Sequence, residues 1–171
     1  MYRDITGKRA RGVGAQAGLI GALIGGAVGA SSEGPGKQRF DQAVSSQPVD
    51  IKELVRRQVT TALHSSSFFQ LVPANGDATF NLEVIEYGVA PVNDRNLGAA
   101  IEARATLVGR DGKEIWSKVE WGASNTSAPL EEFEHNPRLW PRTAAEASEE
   151  LARKLILVMS ASERTVPPTA L

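Results

Sequence analysis

Residues 12–30, GVGAQAGLIGALIGGAVGA, carry no charge and one polar side chain, Gln16. At a helical rise of about 1.5 Å per residue the stretch spans roughly 28 Å, close to the hydrocarbon thickness of a bilayer. Gly21, Gly25 and Gly29 recur every fourth residue, as do Gly14, Gly18, Ala22, Gly26 and Ala30. At about 100° per residue the two rows merge into one small-residue face, with Val13, Leu19, Ile20, Leu23, Ile24 and Val28 on the other side. A helix with one flat face lets a second backbone approach closely, which is the small-xxx-small mode of membrane helix association. The feature speaks to location and assembly before it speaks to any activity.

The apolar side chains of this stretch contribute about 2 to 4 kcal/mol on an insertion scale, so a lone span is marginal and gains from partners. In water the same glycines cost up to ~1 kcal/mol each relative to alanine. Three readings stay open: a membrane-associated glycine zipper, a signal peptide with Lys8, Arg9 and Arg11 as its basic region, and a flexible Gly/Ala linker or buried hairpin. If the stretch spans, Arg3, Lys8, Arg9 and Arg11 place the N-terminus in the cytoplasm and the C-terminal part in the periplasm.

The 171 residues suffice for one domain with tails, and the net charge of -1 with pI near 6.2 provides no basic field for nucleic acid. Cysteine is absent, which excludes disulfides, thiolate metal sites and a cysteine nucleophile in this sequence. The two histidines, His64 and His135, lie far apart and show no metal-ligand spacing. Neither a metal nor a cofactor is expected.

The expected organisation is a basic tail over 1–11, a glycine-zipper helix over 12–30, a Ser/Gly/Pro-rich linker over 31–48, a globular domain over 49–162 and a tail over 163–171. Phe40 to Pro48 suits either a short helix or a lead-in strand. Asp50 and Glu53 open a helix whose stripe is Ile51, Leu54, Val55, Val59, Ala62 and Leu63. Four strands are predicted. The first is Phe68 to Val72, and the second is Ala78 to Val89 with Phe80, Leu82 and Val84 on one face. The third is Leu97 to Val108 with Ile101, Ala103, Ala105 and Leu107 aligned. The fourth is Glu114 to Trp121, reached through the tight turn at Asp111-Gly112. Gly122 to Pro129 reads as a polar loop, Leu130 to Glu134 as a helical turn, and Arg142 to Ala161 as a closing helix. The fold class is α+β: a two-layer sandwich with an antiparallel sheet of about four strands covered on one face by two helices, plus the glycine-rich N-terminal helix.

Two segments carry a family resemblance. Val49-Asp50-Ile51 with Leu54, Val59 and Leu63, followed by Phe68-Phe69-Gln70-Leu71-Val72, resembles the helix-then-strand opening of small bacterial envelope lipoproteins. Ala105-Thr106-Leu107-Val108 through Asp111-Gly112-Lys113-Glu114-Ile115-Trp116 is similar to their central hairpin. The group includes the N-terminal domain of TolB, the curli secretion lipoprotein and the Pel polysaccharide export lipoprotein. The resemblance covers roughly 49–162, and residues 12–30 resemble the glycine-zipper segments of outer-membrane lipoproteins. It implies an accessory or assembly role in the envelope, often oligomeric and without catalysis. The sequence departs from the family in lacking a lipobox cysteine.

Candidate chemistry is sparse. Glu131, Glu132, Glu134 and His135 form the densest titratable cluster; paired carboxylates can hydrolyse a glycoside, and a solvated turn is the plainer reading. His64 beside Ser65, Ser66 and Ser67 sits at a helix end, where a histidine favours the dipole and no triad geometry is set. Trp116 and Trp121 are at odd spacing, so one faces the core and the other the uncovered sheet face. Trp140, between Pro137 and Pro141 and flanked by Arg138 and Arg142, reads as an exposed platform for a partner, a sugar or a membrane interface, or as a ring packed under its own loop.

The expected function is that of a non-enzymatic cell-envelope accessory protein for assembly, secretion or export. Membrane attachment and self-association are assigned to Gly14, Gly18, Gly21, Ala22, Gly25, Gly26 and Gly29. Partner contacts are assigned to Trp116, Trp140, Arg138 and Arg142. The expected partners are a membrane, further copies of the chain, and other envelope proteins or polysaccharide, with no nucleic acid. The alternatives are a soluble periplasmic binding module for peptide or glycan, and a hydrolase built on residues 131–135.

Overall fold

The computed structural model describes residues 39, 40, 42, 44, 47, 49–72 and 76–163. The glycine-rich stretch, the basic tail and the C-terminal tail lie outside these residues. The described elements run α1 (Ile51–Ser65), β1 (Ala78–Pro91), β2 (Leu97–Gly109), β3 (Glu114–Ala128), α2 (Leu130–His135) and α3 (Leu139–Glu163). Both long helices pack on one face of an antiparallel sheet ordered β1-β2-β3. The α+β, two-layer class holds, with three described strands in place of four.

Helix α1 begins where the sequence predicts. The Asp50 carboxylate accepts the Glu53 N–H at 2.9 Å, satisfying one of the donors that a helix start leaves open. Glu53 does not reach back to complete a capping box; its carboxylate takes Arg56 Nε at 2.7 Å instead. The stripe Ile51, Leu54, Val55, Val59 and Leu63 is buried, and Ala62 packs against it. Phe68 to Val72 is not a strand. The segment leaves α1 without ladder pairing and exposes Phe68, Leu71 and Val72. Its apolar composition reflects strand propensity that no neighbouring strand realises. Arg39, Phe40, Gln42 and Val44 are helical, and Phe40 joins the core.

The sheet alternates as its sequence implies until bulges shift the phase. Phe80, Leu82 and Val84 pair with Leu107, Ala105 and Ala103 on the helix-covered face. Ile85 is then left unpaired, and Tyr87 and Val89 pair with Ile101 and Ala99; Val89 is buried, whereas Tyr87 is 52% exposed. On β3, Ile115 is skipped between Trp116 and Glu114 and lies 64% exposed. The hairpin closes through Gly112 at φ 79°, with Gly109 N–H donating to Lys113 O at 2.8 Å.

Strand β3 continues well past Trp121, so residues 122–128 are sheet where a polar loop was expected. Two side chains make that extension possible. Where the β2–β3 register breaks beside Ala99, Ser124 Oγ accepts the Ala99 N–H at 2.9 Å and donates to Thr126 O at 2.6 Å. The Glu146 carboxylate, from α3, accepts Thr126 N–H and Oγ1–H, both at 2.8 Å. Burial would raise the Glu146 pKa; the Thr126 bonds and the Arg142 guanidinium outweigh it and hold the carboxyl below its ordinary range.

The layers come very close together at Gly122. A Cβ placed there would overlap the Ala147 carbonyl oxygen and lie 2.5 Å from Leu151 N. Helix α3 therefore rests directly on the β3 backbone, through a face carrying Ala144, Ala147 and Leu151, all fully buried. Its buried Thr143 and Ser148 hydroxyls donate to Leu139 O and Ala144 O, at 3.0 and 2.7 Å.

Two outcomes are expected. Gly122→Ala should lower stability by about 3 kcal/mol, read by denaturant unfolding, because the added methyl meets backbone that has no rotamer to relax. Glu146→Gln should lower the melting temperature at pH 7. A depressed folded pKa stabilises fully above the ordinary glutamate range of about 4.3 and is lost as pH falls through the folded value, so the gap to the parent protein should narrow in acid.

Candidate functional site

Trp140 is the second residue of α3, with Pro141 in the first turn, where a missing N–H costs nothing. The ring is 2% exposed and meets Phe40 edge-on at 5.2 Å; Phe40 in turn meets Phe133 at 6.1 Å. The three rings close one end of the helical layer. This corrects the reading of Trp140 as a platform for a partner: the side chain is core, and it packs from a helix against Phe40 rather than under a loop of its own. Its ring partner Phe40 is remote in sequence, so local context alone could not reveal it.

Arg138 and Arg142 remain on the surface on either side of that buried ring. The Arg142 guanidinium donates to Glu146 Oε1 at 3.1 Å and so supports the bond to Thr126. Trp116 lies on the helix face, half-buried, and its indole N–H donates to Ser162 Oγ at 3.2 Å. Trp121 lies on the other face and is 48% exposed. The opposite orientation of the two tryptophans is as expected. The Lys154 ammonium sits 4.4 Å from the Trp121 ring centroid and donates to its carbonyl at 3.1 Å.

The acidic cluster is tied to a residue far earlier in the sequence. Arg39 donates through Nε and Nη2 to Glu134 at 2.7 and 2.8 Å, and its Nη2 lies 3.8 Å from Glu131. The bidentate arginine holds the Glu134 carboxyl below its usual range. A glycosidic acid needs the opposite shift. His135 Nδ1 and His64 Nδ1 each lie within hydrogen-bond distance of the carbonyl four residues earlier, Glu131 O at 2.6 Å and Thr60 O at 2.9 Å. Among the described residues no group of three or more metal-ligating side chains converges.

The sheet face turned away from the two long helices is the other candidate, and part of it is buried, at Gly88, Ala100 and Glu102. Cross-strand rows there run Asn81, Thr106, Ser117; then Glu83, Arg104, Val119; then Glu86, Glu102, Trp121; then Gly88, Ala100, Ala123. Thr106 and Ser117 hydroxyls are 3.1 Å apart, and Arg104 Nη1 donates to Glu83 Oε2 at 3.0 Å. Glu102 was not singled out by its sequence context. On the polar phase of an alternating strand it reads as solvated, and only the register brings Glu86 and Trp121 to its sides.

Gly14, Gly18, Gly21, Ala22, Gly25, Gly26 and Gly29 lie outside the described residues. Among the described residues no helix is long and apolar enough to cross a membrane.

No family model and no curated protein matches the sequence. The fold does have solved counterparts. A predicted lipoprotein from Caulobacter crescentus CB15 superposes with a TM-score of 0.50 at 13% identity, covering 76% of this chain and 98% of that one. A minor lipoprotein from Acinetobacter baumannii gives 0.49 at 15% identity, over 68% and 87% of the two chains. A protein from Xanthomonas campestris gives 0.43 at 16%, over 66% and 65%. At these identities the likeness is one of fold: a small α+β domain of the kind found in the Caulobacter protein.

Proposed function

We propose that this chain is a non-enzymatic accessory protein of the bacterial cell envelope, acting in assembly, secretion or export. Its α+β domain faces the periplasm, and its glycine-rich stretch holds it to a membrane and to further copies of itself. The observation that carries the reading is the joining of two features in one chain. One is an uncharged helix-length segment with glycine on one face and Leu, Ile and Val on the other. The other is a two-layer domain whose architecture has a counterpart in a predicted lipoprotein. Partner proteins or polysaccharide of the envelope are the corresponding ligands. The surface ion pairing of Glu131 and Glu134 with Arg39 favours a structural part for that cluster over hydrolysis.

The test is fractionation with crosslinking of the full chain. The protein is expected in the membrane fraction, released by detergent as an oligomer. Gly25→Leu raises apolarity yet should reduce the crosslinked oligomer to smaller species, because the bulky side chain holds the partner backbone away. Recovery of the parent protein as a detergent-free soluble monomer would overturn the assignment.

A further inference from the structure

The chain is fastened to one end of the domain before the first long helix begins. Arg39 grips Glu134 through two hydrogen bonds, at 2.7 and 2.8 Å. Phe40, 7% exposed, sets its ring edge-on against both Phe133 and Trp140. A surface ion pair contributes little by itself, whereas an aromatic ring seated in a core is costly to withdraw. Phe40 is therefore the fixed point at which the residues before it act on the fold.

That point lies at one extreme of the long axis. Helix α3, with its 25 residues, is about 37 Å long. Strand β3 runs beside it in the opposite direction: Thr126 bonds Glu146 near the start of the helix, and Trp116 bonds Ser162 near its end. Trp140, Phe133 and the Arg39–Glu134 clasp mark one end of the domain, and the 110–113 turn marks the other.

Residues 31–38 are all that separates Ala30, the last of the apolar stretch, from Arg39. Covalent geometry limits that connection to about 32 Å, at roughly 3.3–3.6 Å per residue. This ceiling is shorter than α3. Beside a bilayer that holds the apolar stretch, the domain cannot stand on its 110–113 turn, and any connection short of the ceiling draws the clasp closer to the lipid. Charge does not compete with the constraint, because Arg39, Arg138 and Arg142 stand beside Glu131, Glu132 and Glu134 at the clasp end.

We propose that the end of the domain formed by α2 and the first turn of α3 faces the lipid surface, held there by a short tether that Arg39 and Phe40 fasten, with the 110–113 turn outermost. The inference rests on the membrane attachment of residues 12–30 proposed above.

The experiment places the full chain in phosphatidylcholine vesicles containing a headgroup-nitroxide phosphatidylcholine as quencher. The sequence has no cysteine, so Glu132→Cys and Lys113→Cys each carry a single fluorophore. The label at 132 is expected to lose its emission and the label at 113 to keep it. A Gly/Ser segment of about twelve residues inserted after Gly36 adds roughly 40 Å of reach without touching the fold, and should erase most of that difference. Phe40→Ala should do the same by moving the point of attachment toward α1; if circular dichroism shows that this variant has lost its helices, the insertion alone decides. Equal quenching of the two labels in the parent chain, stronger quenching at 113, or an insertion that leaves the difference intact would overturn the proposal and leave membrane attachment standing. A parent chain that fails to float with the vesicles would overturn the attachment itself, and the proposal with it.

Discussion

Helix α3 approaches the strand backbone at Gly122 more closely than any Cβ would permit, and much of the described architecture answers to it. With no Cβ at that position the helix sits on the strand at a separation no other residue would allow. Alanines then become the natural residues for the helix face, and Ala144, Ala147 and Ala152 are all buried there. A helix so close also brings Glu146 within reach of Thr126, and Lys154 within reach of Trp121. One missing side chain thus sets the depth of the interface and, through it, the polar contacts at its rim. Bulkier core residues, among them Leu151, Leu155, Met159 and Ile101, fill the space to either side.

Where local pattern and tertiary environment agree, the sequence is informative. The α1 stripe, its Asp50 cap and the Asp111-Gly112 turn involve residues within one or two turns of each other, and the structure reproduces them. The inward rows of β1 and β2 up to Val84 follow simple alternation for the same reason. Other elements depend on partners far along the chain. Residues 122–128 look like a loop because they are small and polar, yet Ser124 and Thr126 are held in the sheet by Ala99 and Glu146. Phe68 to Val72 looks like a strand by composition, but strand formation requires a neighbour and none pairs with it. The candidate site divides along the same line. The opposite orientation of Trp116 and Trp121 follows from spacing alone. The burial of Trp140 involves Phe40, far earlier in the chain, and the setting of Glu102 required the register of three strands.

The two faces of the sheet differ in kind. The helix-covered face is filled by aliphatic side chains whose burial supplies most of the favourable free energy of folding. The other face carries charges, hydroxyls and a tryptophan, arranged in cross-strand rows. Polar groups that are satisfied within the fold, such as the Thr106–Ser117 pair and the Arg104–Glu83 pair, behave as an ordinary outer surface. Glu102 departs from that behaviour because its Oε2 is buried without a hydrogen-bond partner.

The extra residue at Ile85 has a further effect on solubility. Strand β1 forms one margin of the described three-stranded sheet, and a long regular margin is a template on which foreign strands can grow. By interrupting the repeat midway, Ile85 leaves two shorter runs whose side chains alternate out of step with each other. An incoming strand aligned with the first run is misaligned with the second unless it carries the same irregularity. The fault that reorients Tyr87 and Val89 thereby also guards the periphery against indiscriminate fibril-like addition.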